Sequence, residues 1–148
     1  MGAFWDTSAV IKLYVDEPDA RLVRSLARRP ESLFISAFTV HELHCGLHRK
    51  EALKALRPGM AEVLYRAFRK EIEAEYFRLV AYSSRVEQQA LEIVRKCYEA
   101  PKSVFIRVLD VLQLASAFAA DATDLVSTDK RMRQAARFVG LKVFPEFE

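Results

Sequence analysis

Little in this chain could brace it from outside a packed core or carry it into a membrane. It has only two cysteines, Cys45 and Cys97, too few for a disulfide framework and suited to a reducing cytoplasm. Both sit in apolar helical patterns, where a small buried thiol is expected. Asp6 interrupts the N-terminal apolar residues, so no secretory leader is expected there. The same Asp6 stands where a myristoylation signal needs Ser or Thr. The longest apolar stretch, residues 108–120, contains Asp110 and Gln113 and is too short to cross a bilayer. No charge sign dominates: 23 basic against 20 acidic residues leave a net charge of +3. That excess neither demands nor excludes a polyanionic partner. There is no internal repeat, low-complexity segment or linker, and no evident Ser-His or Cys-His nucleophile system.

What is present fits one cytoplasmic globular domain. A length of 148 residues, 51% hydrophobic and 29% charged, suffices for a real core. Short apolar runs at residues 3–5, 33–37, 77–81, 125–127 and 141–144 read as strands. Helical patterns lie between them: residues 7–15, a helix from Asp16-Glu17-Pro18 to Leu26 with Asp16 as N-cap, 40–56 with Thr39 as cap, 60–75, 84–98, 104–120 and 130–139. Pro58-Gly59 breaks the chain between two of them, and Gly140 is the expected stop of the last. Strands joined by helices require crossover connections. The expected fold is therefore α/β, with a mainly parallel sheet and helices on both faces.

Two acids end apolar runs in the same way. Ala3-Phe4-Trp5 runs into Asp6, and Leu125-Val126 runs through Ser127-Thr128 into Asp129. In open parallel sheets, ligands bind beyond the carboxyl ends of the strands. Each acid also has a plainer reading as a helix N-cap. Glu42 follows Thr39 by three residues, which fits a capping box. From a first helical turn it could also reach the cleft. Asp110 lies within an apolar helical run, where a carboxylate is destabilising unless paired or ligating. Arg107 and Gln113, three residues to either side, offer a local partner. Four oxygen donors without a companion His or Cys suit Mg²⁺ or Mn²⁺ better than zinc. Such a site can polarise a phosphodiester and activate water.

The segments Asp6-Thr7-Ser8-Ala9, Thr39-Val40-His41-Glu42-Leu43, residues 109–117 and Val126-Ser127-Thr128-Asp129-Lys130-Arg131-Met132 occur in this order. Gly140-Leu141 and Val143-Phe144-Pro145 complete the set. Together it resembles the PIN-domain ribonucleases, and among them the VapC-type toxins of prokaryotic toxin–antitoxin pairs. The resemblance spans the chain. It implies a single three-layer α/β/α PIN domain over residues 1–148 and divalent-metal-dependent endoribonuclease activity on RNA. It also implies neutralisation by a cognate antitoxin and a homodimer. Asp6, Glu42, Asp110 and Asp129 match the family's acidic quartet, expected to be catalytic and to bind the metal. Ser8 and Ser127 match the small polar positions that support it. The competing class is a non-catalytic RNA-binding or interaction module on the same fold.

Other constellations are weaker. His41, His44 and His48 share a helix face, so a zinc or nickel site is conceivable, but Cys45 breaks the metalloprotease HExxH pattern. An aspartyl-phosphate phosphatase wants a second Asp where Ser8 stands. Among many basic residues, Lys130, Arg131 and Arg133 are best placed to hold RNA phosphates near Asp129. Trp5 and Tyr14 are expected in the core. Val63, Leu64, Phe68, Ile72 and Phe77 form an apolar side that packs inward or receives a partner.

Overall fold

The computed structural model describes residues 2–27 and 31–147; Met1, Arg28, Arg29, Pro30 and Glu148 lie outside the described residues. Five short strands form one parallel sheet: β1 (Phe4–Trp5), β2 (Leu33–Ser36), β3 (Phe77–Val80), β4 (Asp124–Val126) and β5 (Lys142–Phe144). Their order is β3-β2-β1-β4-β5. The chain thus builds outward from β1 in one direction, then returns to its other side with β4. The helices are α1 (Thr7–Val10), α2 (Ala20–Leu26), α3 (Ala37–Ala52), α4 (Met60–Glu73), α5 (Ser84–Tyr98), α6 (Val108–Ala119) and α7 (Lys130–Phe138). A 3-10 turn, Ile11–Leu13, follows α1.

Both sheet faces are covered, which is why the inner strands are apolar on both sides. Successive strand residues point to opposite faces. Phe4 enters a core with Ile93, Leu114, Leu125 and Met132, and Trp5 enters another with Val10, Ile35, Leu43 and Phe68. Two residues of β1 therefore seed both cores. Phe68 and Phe77 are buried, and Leu64 and Ile72 pack against the second core. The apolar side of α4 is thus largely core, with Val63 left exposed. Tyr14 meets Phe68 edge-on at 6.0 Å.

The structure corrects several expected details. Asp16 does not cap a helix. The helix after Pro18 begins at Ala20, from a left-handed Asp19 (φ 68°), and Asp16 instead lies 3.8 Å from Arg24. Ser36, not Thr39, caps α3 and accepts from the Phe38 N–H. Strand β2 passes into α3 without a loop, so the last strand residue is the only one placed to cap. The helix expected from residue 104 begins at Val108, after an extended Arg107. Two β-branched residues and a Phe in Val104-Phe105-Ile106 favour helix weakly. Tyr98 instead holds this segment, its hydroxyl bridging the Ile106 carbonyl and N–H at 3.3 Å. Cys97 is buried as expected, but Cys45 is exposed. Gly140 follows α7 with φ 102°, a left-handed stop open to glycine at no steric penalty. Among the described residues, no helix is long and apolar enough to cross a membrane.

Candidate active site

Strand order reverses beside β1, and the crevice beyond the carboxyl ends of β1 and β4 is where such sheets bind ligands. Asp6 is the first residue past β1, its N–H donating to the Val126 carbonyl at 2.9 Å. It occupies the N-cap position of α1 without capping through its side chain. Instead its Oδ2 accepts from the Ser8 hydroxyl at 2.8 Å and the Ser127 hydroxyl at 2.9 Å. Residues 6 and 127 are thereby tied across the two central strands. Asp6 is only 6% exposed, and burial pushes its carboxyl up from 3.8 to about 6. The two serine hydrogen bonds oppose that rise, while the charges of Glu42 and Asp129 add to it. Desolvation, with like charge added, outweighs two good hydrogen bonds.

Asp129 does cap its helix: Oδ1 accepts from the N–H of Arg131 at 2.9 Å and of Met132 at 3.4 Å. Its other oxygen, Oδ2, lies 3.5 Å from Arg107 Nη2. Asp110 stands in the first turn of α6, its Oδ2 accepting from Arg107 Nε at 3.1 Å. The local partner foreseen for Asp110 is therefore real, but it is shared. One guanidinium bridges two acids from different helices. The adjoining carboxylates of Asp110, Asp129 and Asp6 hold Arg107 above its ordinary value, Asp110 foremost through its hydrogen bond.

Glu42 does not belong to a capping box, because α3 starts at Ala37 and places it in the second turn. Its Oε1 accepts from Thr7 Oγ1 at 3.0 Å and from Gln113 Nε2 at 2.6 Å. Gln113 Nε2 also lies 3.0 Å from Thr39 Oγ1 and 3.2 Å from Thr7 Oγ1. This buried amide, with Thr7 and Thr39, positions Glu42, a role not foreseen in the sequence. The only signal was a polar residue one turn beyond Asp110 in an apolar run. The amide orientation follows from Glu42, which at this distance requires a donor.

Asp110 and Asp129 thus share Arg107, and Asp6 lies close enough to feel the charges of Glu42 and Asp129, but no three of the four acids bring oxygens within 4.8 Å of one another. Among the described residues, the one group of three potential ligands with atoms within 4.8 Å of one another is His44, His48 and Glu62. His44 Nε2 and His48 Nε2 each lie 2.7 Å from Glu62 Oε2, and these contacts hold the Glu62 carboxyl below its ordinary value. His41 is exposed on another part of α3, beside Glu42 and Cys45.

The basic residues divide. Lys130 and Arg131 open α7 and are exposed. Arg131 joins Lys102, Tyr98, Phe105, Arg107 and Asp110 around a cleft of about 600 Å³. Arg133, expected to face RNA, is 4% exposed. It donates to the carbonyls of Ser127 and Pro145, both at 2.7 Å. Its guanidinium braces the loop beneath Asp6 and is closed to phosphates.

The PIN domain family model matches residues 3–138. No protein of curated function matches the chain. Solved structures do. A toxin–antitoxin complex from Klebsiella pneumoniae is 17% identical with a TM-score of 0.65, covering 99% of both chains. VapBC2 from Rickettsia felis, bound to a promoter DNA fragment, is 17% identical with a TM-score of 0.69, covering 97% of this chain and 98% of that one. FitAcB from Neisseria gonorrhoeae is 22% identical with a TM-score of 0.68, covering 97% and 96%. At such identities the likeness is one of fold. The family match over nearly the whole length, on a parallel sheet with its acids at the carboxyl edge, places this chain in the PIN domain family.

Proposed function

We propose that this protein is a divalent-metal-dependent endoribonuclease that cleaves RNA phosphodiesters, and the toxin of a toxin–antitoxin pair. PIN domains are generally nucleases, and the solved structures that resemble this chain include toxin–antitoxin complexes. The observation that carries the reading is Asp6. It is a buried carboxylate held by two hydroxyls at the switch edge of the sheet, with the charges of Glu42 and Asp129 close enough to raise it.

An all-oxygen donor set that repels itself, and that already gathers a cationic guanidinium, fits a hard divalent ion. Asp6, Asp110 and Asp129 would hold Mg²⁺ or Mn²⁺, and Glu42 would bind a second ion or orient the attacking water. The ion when bound would supply Lewis-acid polarisation of the phosphate and a more acidic water. The protein's own groups do the rest. Ser8 and Ser127 keep the Asp6 carboxylate in place, as hydrogen-bonded supports of metal ligands do. Gln113 and Thr7 fix the Glu42 carboxylate through hydrogen bonds to its Oε1. Lys130 and Arg131 take phosphates without reading bases. The partners are RNA, a cognate antitoxin and a second copy of the chain, in the cytoplasm.

One observation favours a non-catalytic RNA-binding module instead: Arg107 already satisfies Asp110 and Asp129. Incubation of purified protein with RNA, with Mg²⁺ or with EDTA, separates the two. Cleavage that stops with EDTA and in Asp6→Asn supports the nuclease. Cleavage indifferent to EDTA sinks the metal mechanism, and RNA binding without cleavage leaves the module.

A further inference from the structure

We propose that His44, His48 and Glu62 form a transition-metal site, distinct from the acidic centre, that clasps α3 to α4. His44 and His48 are four residues apart and so project from one helix face. Glu62 reaches them from the first turn of the next helix. Both imidazole Nε2 atoms converge on a single carboxylate oxygen, each at 2.7 Å. Convergence of two imidazoles on one carboxylate oxygen from a second helix is unusual for solvated side chains, which lose rotamer freedom to achieve it. The His44 ring is further held by stacking on Tyr65, with centroids 3.8 Å apart and planes at 17°.

Two imidazoles and one carboxylate are the ligand set of a class of zinc sites, with a fourth position left to water. Imidazole also suits Ni²⁺ and Cu²⁺, whereas Mg²⁺ prefers oxygen. With bonds of about 2.0–2.1 Å, tetrahedral ligands stand roughly 3.3 Å apart. The present nitrogen–oxygen distances need to open by only about half an ångström, within reach of small rotations of these exposed side chains. The ion takes the place of the protons between the rings and Oε2. Each Nε2 proton leaves to solvent or gives way to the Nδ1 tautomer, which frees the lone pair that binds.

The site does not depend on the nuclease reading, since it shares no residue with the acidic centre. Its test uses full-length protein with any affinity tag removed. Zn²⁺ titrated calorimetrically, in Mg²⁺ buffer, is expected to fill one site per chain and to raise Tm by roughly 5–10 °C at a hundredfold excess over Kd. His48→Gln and Glu62→Gln each remove a ligand and are expected to weaken Zn²⁺ at least about 100-fold, the upper range for loss of a mere supporting contact. Asp6→Asn with Asp110→Asn is expected to bind Zn²⁺ as the original does. Unchanged affinity in both ligand variants, or loss of the Zn²⁺ site in the double Asp variant, overturns the proposal. So does absence of Zn²⁺ binding to the original protein. Circular dichroism of each variant separates lost ligands from lost fold, and either ligand variant alone decides if the other does not fold.

Discussion

Gln113 donates its amide to Glu42 at 2.6 Å, joining the middle of α6 to α3 across 71 positions of chain. It is 1% exposed, and its Oε1 has no hydrogen-bond partner among the described residues. Gln113→Leu strips a donor from Glu42 and Thr39 while filling similar space. We expect a loss of about 1–3 kcal/mol, the penalty for buried groups left unpaired. RNA cleavage should fall at least about tenfold, as Glu42 loses its orientation. Urea unfolding and single-turnover kinetics check both. A variant as stable and active as the original would mean that Gln113 only fills volume.

Asp6 sets a pH dependence for the metal-free protein. Its carboxyl titrates near 3.8 when exposed and at about 6 in the fold, so the folded chain holds that proton more tightly. The contribution of Asp6 therefore falls as pH rises from about 4 to about 6, and the ionised form carries the full penalty above that. At about 1.4 kcal/mol per pH unit the difference is about 3 kcal/mol. Asp6→Asn in EDTA should be the more stable protein at pH 7, with a gap that closes toward pH 4. Parallel denaturation curves for the two proteins across that range would contradict the buried, repelled carboxylate.

With a metal at the acids as proposed, Arg107 would compete with it for Asp110 and Asp129. Its side chain is 62% exposed, so its pairing with Asp110 contributes only about 0–1 kcal/mol. Arg107→Ala should accordingly change metal-free stability little and tighten Mg²⁺ roughly two- to fivefold, by calorimetry. Asp110→Asn should leave the metal-free fold within about 1 kcal/mol of the original and reduce the rise in Tm on adding Mg²⁺. Weaker Mg²⁺ binding in Arg107→Ala would show that the guanidinium assists the site instead.

Arg133 and Lys130 separate structure from substrate contact. Arg133→Ala leaves two buried carbonyls without a donor, at Ser127 and Pro145. A destabilisation of about 2–4 kcal/mol is expected. Lys130→Ala should leave Tm unchanged and lower the slope of log affinity for RNA against log salt by about one. If Arg133→Ala proves as stable as the original, the guanidinium is not the brace described.

Chemistry and periodicity made much of the fold legible. The helix expected at about residues 84–98 is α5, Ser84–Tyr98, and the structure adds its cap, the Ser83 hydroxyl accepting from the Val86 N–H. Cap choices were not legible. Ser36 and Thr39 are equally good caps in isolation, and which one serves depends on where the preceding segment is anchored; α2 has no side-chain cap at all, although Asp16 and Asp19 both precede it. Arg133 looked like its neighbours Lys130 and Arg131 in a basic run. Its burial follows from the face of α7 that meets the β4 and β5 loops.

By itself, the order of residues determined the alternation of short apolar strands with amphipathic helices, and set Asp6 and Asp129 at strand ends. Those features depend on neighbours within a few positions, which any reading of local pattern can follow. Tertiary structure alone decided that Ser127 holds Asp6, that Arg107 joins Asp110 to Asp129, and that Gln113 orients Glu42. These partners meet because sheet order and helix packing bring distant segments together, and a side chain's hydrogen bonds are chosen by whatever the fold places within three ångströms.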